Sequence, residues 1–165
     1  ILFIFGLLFC ISGFVNIIKT ITAFTIAHSI TLGLSVFNIV ALPQGTVEAL
    51  IALTIVYLAL EIDKYDLKKI KTPWIMAFGF GLLHGLGFAS ALMDIGIANN
   101  NIFLSLLFFN IGIELAQIAL IPIPLIIIYA SKKINHFKSV KMLASYGIGG
   151  MGFYWFIDRV IGIIL

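Results

Sequence analysis

Long apolar runs, each about the length of a membrane-spanning helix, follow one another along this chain with only short polar segments between them. The runs cover residues 1–18, 20–42, 46–62, 73–94, 102–130 and 142–165. A helix that rises about 1.5 Å per residue needs roughly 20 apolar residues to cross a hydrocarbon core about 30 Å thick. The runs do not alternate and are too long for strands. The sequence therefore predicts an all-α polytopic membrane protein, a bundle of about six transmembrane helices.

The composition agrees with a membrane location. Of the 165 residues, 62% are hydrophobic and only 10% are charged, whereas soluble domains have about 45–50% apolar and about 25% charged residues. A water-soluble domain of this length could not bury so much apolar side chain, because its surface-to-volume ratio is too high. We expect one transmembrane helical domain over residues 1–165, in contact with membrane lipids. The net charge of +3 does not indicate a nucleic-acid partner, since the basic residues lie in short loops without interleaved aromatics.

Proline, glycine and asparagine mark the breaks between the runs. Residues 43–45 (Pro-Gln-Gly) and residues 99–101 (three asparagines) predict turns. Pro73 suits the first turn of the fourth helix. Pro122 and Pro124 lie inside the fifth run and predict a kink there.

The distribution of basic residues predicts the orientation in the membrane. The basic residues that fall in alternate connections are Lys19, at the boundary expected between the first two spans, then Lys64, Lys68, Lys69 and Lys71, then Lys132, Lys133, Lys138 and Lys141. The positive-inside rule places these connections in the cytoplasm. Both ends of this chain are then expected outside the cytoplasm, with the protein in the cell membrane. No signal-peptide pattern is visible after Ile1. The expected outside position of this end favours an exported segment upstream of it.

Three ionisable side chains are expected near the middle of the membrane. Counting about 1.5 Å per residue places His28 about 12 Å and His84 about 16 Å from the cytoplasmic ends of their helices, and Glu114 about 18 Å from the outer end of its helix. Charged or ionisable groups at this depth are costly, so each is a candidate functional residue. Their common depth predicts a midplane site formed by these three side chains.

Polar neighbours support this site. Thr25 and Thr31 share a helical face with His28, and Asn110 and Gln117 form a stripe with Glu114 at steps of four and three residues. Around His84 the glycines include a small-residue pattern, Gly81-x-x-x-Gly85, which lets helix backbones approach closely. Such glycine-rich helices also offer a surface for a homo-oligomer.

Imidazole and carboxylate donors favour a divalent transition-metal ion such as nickel, cobalt or zinc, as substrate or ligand. Copper is disfavoured, since it would need thiolate or thioether donors, and Cys10 stands alone in an apolar run. A small number of ligands gives weak and reversible binding, as a permease requires. Patterns for a metalloprotease (H-E-x-x-H), a serine hydrolase (G-x-S-x-G) and an ATP-binding P-loop are absent from the sequence.

The other charged residues within the runs are less informative. Glu48 and Asp158 are possible secondary metal ligands, although Glu48, near a helix end, can also simply reach water. Asp158 and Arg159 are first interpreted as members of a structural ion pair, and second as residues of an access pathway.

Four segments resemble the HupE/UreJ family of hydrogenase and urease accessory membrane proteins. They are TAFTIAHSITL at 22–32, VEALIA at 47–52, FGFGLLHGLGFA at 78–89 and FNIGIELAQ at 109–117. The resemblance spans roughly residues 20–120 and includes His28, His84 and Glu114. It implies a membrane permease for nickel, or for cobalt, used in metalloenzyme maturation. The family's His/Asp-rich motif in or before the first span does not occur in residues 1–165; if that motif supplies ligands, those ligands are not part of this sequence.

Three functions stay open from the sequence. The first is a divalent metal permease with no catalytic residues, in which His28, His84 and Glu114 are transient ligands. The second is an intramembrane metal-dependent enzyme, such as a hydrolase acting on a lipid or a membrane peptide, in which the same ligands activate water. The third is a non-catalytic accessory subunit whose histidines only bond helices together.

Overall fold

The structure, a computed structural model, describes residues 2–64, 72–94 and 101–165, without the side chains of residues 90, 91, 93 and 94. Its helices in chain order are α1 (Leu2–Cys10), α2 (Phe14–Val36), α3 (Gln44–Lys64), α4 (Pro73–Asp94), α5 (Ile102–Leu120), α6 (Pro122–Lys133) and α7 (Phe137–Ile164). Within these ranges no strand forms.

Four of the described helices are long and apolar enough to cross a membrane, judged by length and composition. They are Phe14–Val36, Gln44–Lys64, Ile102–Lys133 and Phe137–Ile164, and the first part of α4, Pro73–Ala89, is a shorter apolar stretch. The predicted all-α membrane bundle is confirmed. The described part of α1 has nine residues, which is shorter than a full span.

The expected boundary at Lys19 is wrong. The chain breaks earlier, at Gly13, whose φ of 90° lies in the left-handed region that glycine adopts without strain. Lys19 lies within α2 and is exposed. A single exposed lysine leaves the helical hydrogen bonds intact, whereas a positive φ interrupts them.

Two of the prolines lie at the starts of helices. Pro73 is the first residue of α4, and Pro122 is the first residue of α6. Only Ile121 separates α5 from α6. The two helices therefore continue one another as a single apolar helix of 32 residues, Ile102–Lys133. The predicted turn at Asn99 and Asn100, and the loop that carries Lys68, Lys69 and Lys71, lie outside the described residues.

Two helix pairs form the body of the bundle: α2 packs along α4, and α3 packs along α7. The glycine pattern of α4 is used in the first pair. A Cβ at Gly81 would meet the backbone of Phe24, and one at Gly85 would meet the carbonyl oxygen of His28. These two glycines therefore serve packing within the chain, while a homo-oligomer through glycine-rich helices stays a prediction.

The short helix α1 lies inside the bundle, and most of its side chains are buried. Its Leu7 packs in one core cluster with Leu58 of α3 and Ile148 of α7. A second cluster includes Leu32 of α2 and Leu106 of α5. Along α2, His28 lies between the two clusters, because Phe24 belongs to the first and Leu32 to the second.

Candidate metal-ion site

A cavity of about 210 Å³ lies where α1, α2, α4 and α5 meet. Its lining consists of Phe3, Ile4, Phe24, His28, His84, Phe88, Ile113, Ala116 and Gln117. The polar members of this lining come from three different helices. We refer to this space as the histidine cavity.

His28 reaches the histidine cavity from α2 without a hydrogen-bond partner. The residue is 3% exposed, and both ring nitrogens are buried with no partner among the described residues. Its ring stacks on Phe24, with centroids 6.0 Å apart and an interplanar angle of 12°, and meets Phe88 edge-on at 5.5 Å. Leaving a buried polar group unpaired costs about 1–3 kcal/mol. In this conformation His28 therefore does not join helices by a hydrogen bond.

His84 reaches the same cavity from α4 and does have a polar partner. Its Nε2 lies 3.1 Å from the Thr54 Oγ1 of α3. The rings of Phe3 and Phe24 pack against it, with centroids at 5.1 and 5.4 Å. The two predicted ligands, His28 and His84, thus line one cavity. Within the described residues His28 is held by aromatic packing alone, whereas His84 is also held by the contact with Thr54.

The α5 helix contributes an amide to the cavity. Gln117 is 7% exposed, lines the cavity and has a buried Oε1 with no hydrogen-bond partner in the described structure. Asn110 donates from Nδ2 to the Leu106 carbonyl at 2.9 Å, and its Oδ1 is unpartnered. Glu114 is partly exposed and is not among the residues that line the cavity. The face of α5 that lines the cavity is formed by Ile113, Ala116 and Gln117, and Glu114 lies beside it.

The predicted supporting threonines occupy the α2 helix near His28. Thr31 is buried and donates to the Ala27 carbonyl at 3.2 Å. The Thr25 Oγ1 is buried without a partner among the described groups. Neither residue lines the cavity.

No three side chains of His, Cys, Asp or Glu in residues 2–64, 72–94 and 101–165 come together as a group that could hold a metal ion. The structure therefore unites His28 and His84 but does not add Glu114 to them. The donors that converge are two imidazoles and the Gln117 amide oxygen. Imidazole nitrogen suits nickel, cobalt and zinc.

A second set of polar contacts lies beside the site, between α3, α4 and α7. Arg159 Nε donates to Glu48 Oε2 at 2.9 Å, while Asp158 lies 3.9 Å from the same guanidinium. Gln44 Nε2 lies 2.9 Å from Glu48 Oε1 and 2.8 Å from the Gly87 carbonyl, so it can donate to both. Glu48 thus takes part in an interhelical ion pair, which corrects the interpretation that its carboxylate simply reaches water.

This ion pair borders a groove of about 330 Å³ lined by Glu48, Ile51, Ala52, Ile55, Gly87, Phe88, Trp155 and Arg159. Phe88 also lines the histidine cavity. One aromatic ring therefore belongs to both spaces.

Cys10 is buried, at 3% exposure, within the first core cluster. It does not line the histidine cavity. The thiol therefore packs as part of the core, as expected of a lone cysteine in an apolar run.

Sequence reasoning missed the aromatic rings and the threonine around the histidines. Phe24 precedes His28 by four residues and Phe88 follows His84 by four, a spacing that puts each pair on one helical face and could have identified them. Thr54 carries no such signal, since it reaches His84 from a different helix.

Comparison with known protein families identifies a match over most of the chain. The family model described as HupE / UreJ protein matches residues 1–159 of the 165-residue chain. No curated protein and no solved structure matches. Because the match covers nearly the whole chain, including both helices that carry the histidines, the chain belongs to the HupE/UreJ family of membrane accessory proteins, which is linked to nickel and cobalt handling.

Proposed function

We propose that this protein is a membrane permease for a divalent transition-metal ion, nickel or cobalt, and that it holds the ion transiently in the histidine cavity. The observation that carries the proposal is that the ring nitrogens of His28 are buried and make no hydrogen bond to the described residues. They lie beside a cavity that His28 shares with His84. A cation bound there would supply the missing interaction.

The donor set supports transient binding. His28 and His84 offer nitrogen donors, and the unpartnered Gln117 Oε1 offers an oxygen. Three neutral donors bind a divalent ion less tightly than a site with several carboxylates or thiolates, because they add no negative charge. The ion can therefore leave again, which transport requires.

The cavity walls also suit an ion that has lost part of its water. Phe3, Phe24 and Phe88 surround the imidazoles. In such a low-dielectric setting each interaction with the ion is stronger than in water. Glu114, beside the cavity-lining face of α5, supplies the carboxylate that offsets the charge of the arriving ion. Glu48, which lines the groove next to Phe88, and Asp158, near the same Arg159 guanidinium, are secondary candidates.

In the proposed orientation the basic connections are cytoplasmic and both ends of the chain lie outside the cytoplasm. The histidine cavity then lies near the middle of the bilayer. Transport through a site at this depth needs access from both membrane faces in turn.

The direct test is accumulation of radioactive nickel or cobalt by cells and by proteoliposomes containing the protein. We expect His28→Ala and His84→Ala each to lower uptake at least tenfold while the protein remains in the membrane. His136→Ala is the matched control, because His136 is exposed between α6 and α7 and its ring contacts the Ile134 carbonyl rather than the histidine cavity. Uptake that is equal in all three variants and in the unaltered protein would refute the proposal.

The same preparations separate the rival functions. A metal-dependent enzyme would retain stoichiometric metal through purification, which elemental analysis would detect. An accessory subunit whose histidines only bond helices would show neither uptake nor retained metal. The unpaired nitrogens of His28 argue against that role, since a structural histidine would be hydrogen-bonded.

A further inference from the structure

Thr54 Oγ1 has two polar neighbours, and their distances determine where the protons lie. The oxygen is 2.6 Å from the Ile51 carbonyl oxygen of its own helix and 3.1 Å from the His84 Nε2 of α4. Thr54 itself is 7% exposed, so this contact is largely shielded from the surroundings.

A threonine hydroxyl has a single proton to donate. A carbonyl oxygen cannot donate, so two oxygens 2.6 Å apart require the hydroxyl proton between them. The Thr54 hydroxyl therefore donates its single proton to the Ile51 carbonyl oxygen. Toward His84 it can only accept, and the proton of that second bond must belong to Nε2.

We infer that Thr54 is a positioning residue that holds His84 in the Nε2–H tautomer and leaves Nδ1 as the nitrogen that binds the metal. The inference rests on the proposed function for the identity of the ligand, a divalent transition-metal cation. A metal-binding imidazole commonly donates its other N–H to a neighbouring group, which fixes the ring orientation and raises the basicity of the ligating nitrogen. Thr54 supplies that acceptor from a helix that does not line the cavity.

The packing around His84 supports a fixed ring. Phe3 and Phe24 lie against it at centroid distances of 5.1 and 5.4 Å. Among the described residues, Nδ1 makes no hydrogen bond, so its lone pair remains available.

His28 differs, because no acceptor selects its tautomer. The two histidines are therefore unequal ligands. His84 is the fixed one and binds through a defined nitrogen, while His28 is free to present either nitrogen as the ion arrives or leaves.

The tautomer is testable without metal. Purified protein labelled with ¹⁵N-histidine has three histidines, and the His84 signals are identified by their loss in His84→Gln. We expect the unaltered protein to show a protonated Nε2 and an unprotonated Nδ1 for His84, and Thr54→Val to show a mixture of tautomers. A protonated Nδ1 in the unaltered protein would overturn the inference, whatever the protein transports.

The functional consequence is tested by titrating cobalt(II) into detergent-solubilised protein and measuring the dissociation constant by calorimetry. Thr54→Val keeps the side-chain volume but removes the acceptor, so we expect binding about 10–100-fold weaker. Thr54→Ser retains the hydroxyl and should bind within about threefold of the unaltered protein.

Thr20→Val is the matched control. Thr20 is fully buried and bonds the Asn16 carbonyl of its own helix at 2.6 Å, as Thr54 does with Ile51, but among the described residues it makes no hydrogen bond to a histidine. Its substitution should leave cobalt binding unchanged. Equal losses in Thr20→Val and Thr54→Val would show a general packing effect and overturn the positioning role.

Failure of the inference and failure of the proposed function can be told apart. If the unaltered protein binds neither cobalt nor nickel, the proposed function and the ligand assignment both fail, while the NMR spectrum still decides the tautomer. If cobalt binds equally well to the unaltered protein and to Thr54→Val, the permease proposal stands and the role of Thr54 is refuted.

Discussion

Gly85 of α4 lies directly on the backbone of His28 in α2. A Cβ at this glycine would overlap the His28 carbonyl oxygen and the Thr31 hydroxyl. The neighbouring residue, His84, lines the same cavity as His28. The lack of a side chain at Gly85, as at Gly81, therefore allows the two histidine-bearing helices to pack closely, and this packing positions the two histidines.

Replacement of Gly85 by alanine should separate α2 from α4. The overlap is with backbone, which cannot move aside like a flexible side chain, and overpacking of this kind costs about 1–3 kcal/mol. We expect a lower free energy of unfolding in mixed detergent–SDS titrations and weaker cobalt binding, since the distance between the histidines changes as well.

Gly79→Ala is the control for that substitution. Gly79 lies on the same helix, and a Cβ there would have no neighbour within 4 Å. Alanine favours helix over glycine by up to about 1 kcal/mol, so this variant should be as stable as the unaltered protein or slightly more stable. Equal destabilisation by both changes would contradict the packing argument.

The glycine contact could be predicted from the sequence, because Gly81-x-x-x-Gly85 lies on one helical face and predicts close approach of a neighbouring helix. Counting residues predicts similar depths for His28 and His84, and the structure brings both to one cavity. However, the depth of a residue in the membrane does not determine the direction in which its side chain points around the helix axis. The stripe on α5 contains both Glu114 and Gln117, and only Gln117 lines the cavity.

Contacts between distant helices could not be predicted in this way. Glu48 and Arg159 are 111 positions apart by their residue numbers, and Thr54 and His84 are 30 apart. Neither pair belongs to a local pattern. The boundary at Lys19 was wrong for a different reason: a charged residue indicates a helix end only where the backbone also breaks, and here the break is at Gly13.

Replacing His28 and His84 singly by phenylalanine should distinguish the effect of each histidine on folding stability from its effect on metal binding. The His28 ring makes no hydrogen bond within residues 2–64, 72–94 and 101–165, so His28→Phe removes two unsatisfied polar atoms. We expect its free energy of unfolding to be unchanged or raised by up to about 1 kcal/mol, while metal binding is lost.

His84→Phe should lose metal binding and stability together, because it breaks the bond to Thr54. The expected loss is about 0.5–1.5 kcal/mol, the net value of a typical hydrogen bond. Both variants are compared by SDS titration and cobalt calorimetry. A larger destabilisation by His28→Phe than by His84→Phe would show that His28 has a structural partner.

The ion pair between Arg159 and Glu48 should contribute little to stability in spite of its 2.9 Å distance. The two side chains are 49% and 32% exposed and lie near the ends of α3 and α7, where water at the membrane surface would screen the attraction. A double-mutant cycle with Glu48→Gln and Arg159→Gln should give a coupling energy of about 0.2–1 kcal/mol. The same cycle with Asp158→Asn should give less, since that contact is 3.9 Å long. A coupling well above this range would indicate that the pair is desolvated in the membrane.

Metal should stabilise the folded protein, and removal of the metal should reverse the effect. A ligand that binds only the folded state adds about 2.7 kcal/mol at a concentration 100 times its dissociation constant. We expect cobalt or nickel to raise the temperature of thermal unfolding of the detergent-solubilised protein, and a chelator to return it to the starting value. His28→Phe should show no such rise, because it removes a ligand without weakening the fold. His136→Ala should respond like the unaltered protein, since His136 lies in the exposed turn before α7. A rise of equal size in His28→Phe would place the bound metal elsewhere in the molecule, and the histidine cavity would no longer be the binding site.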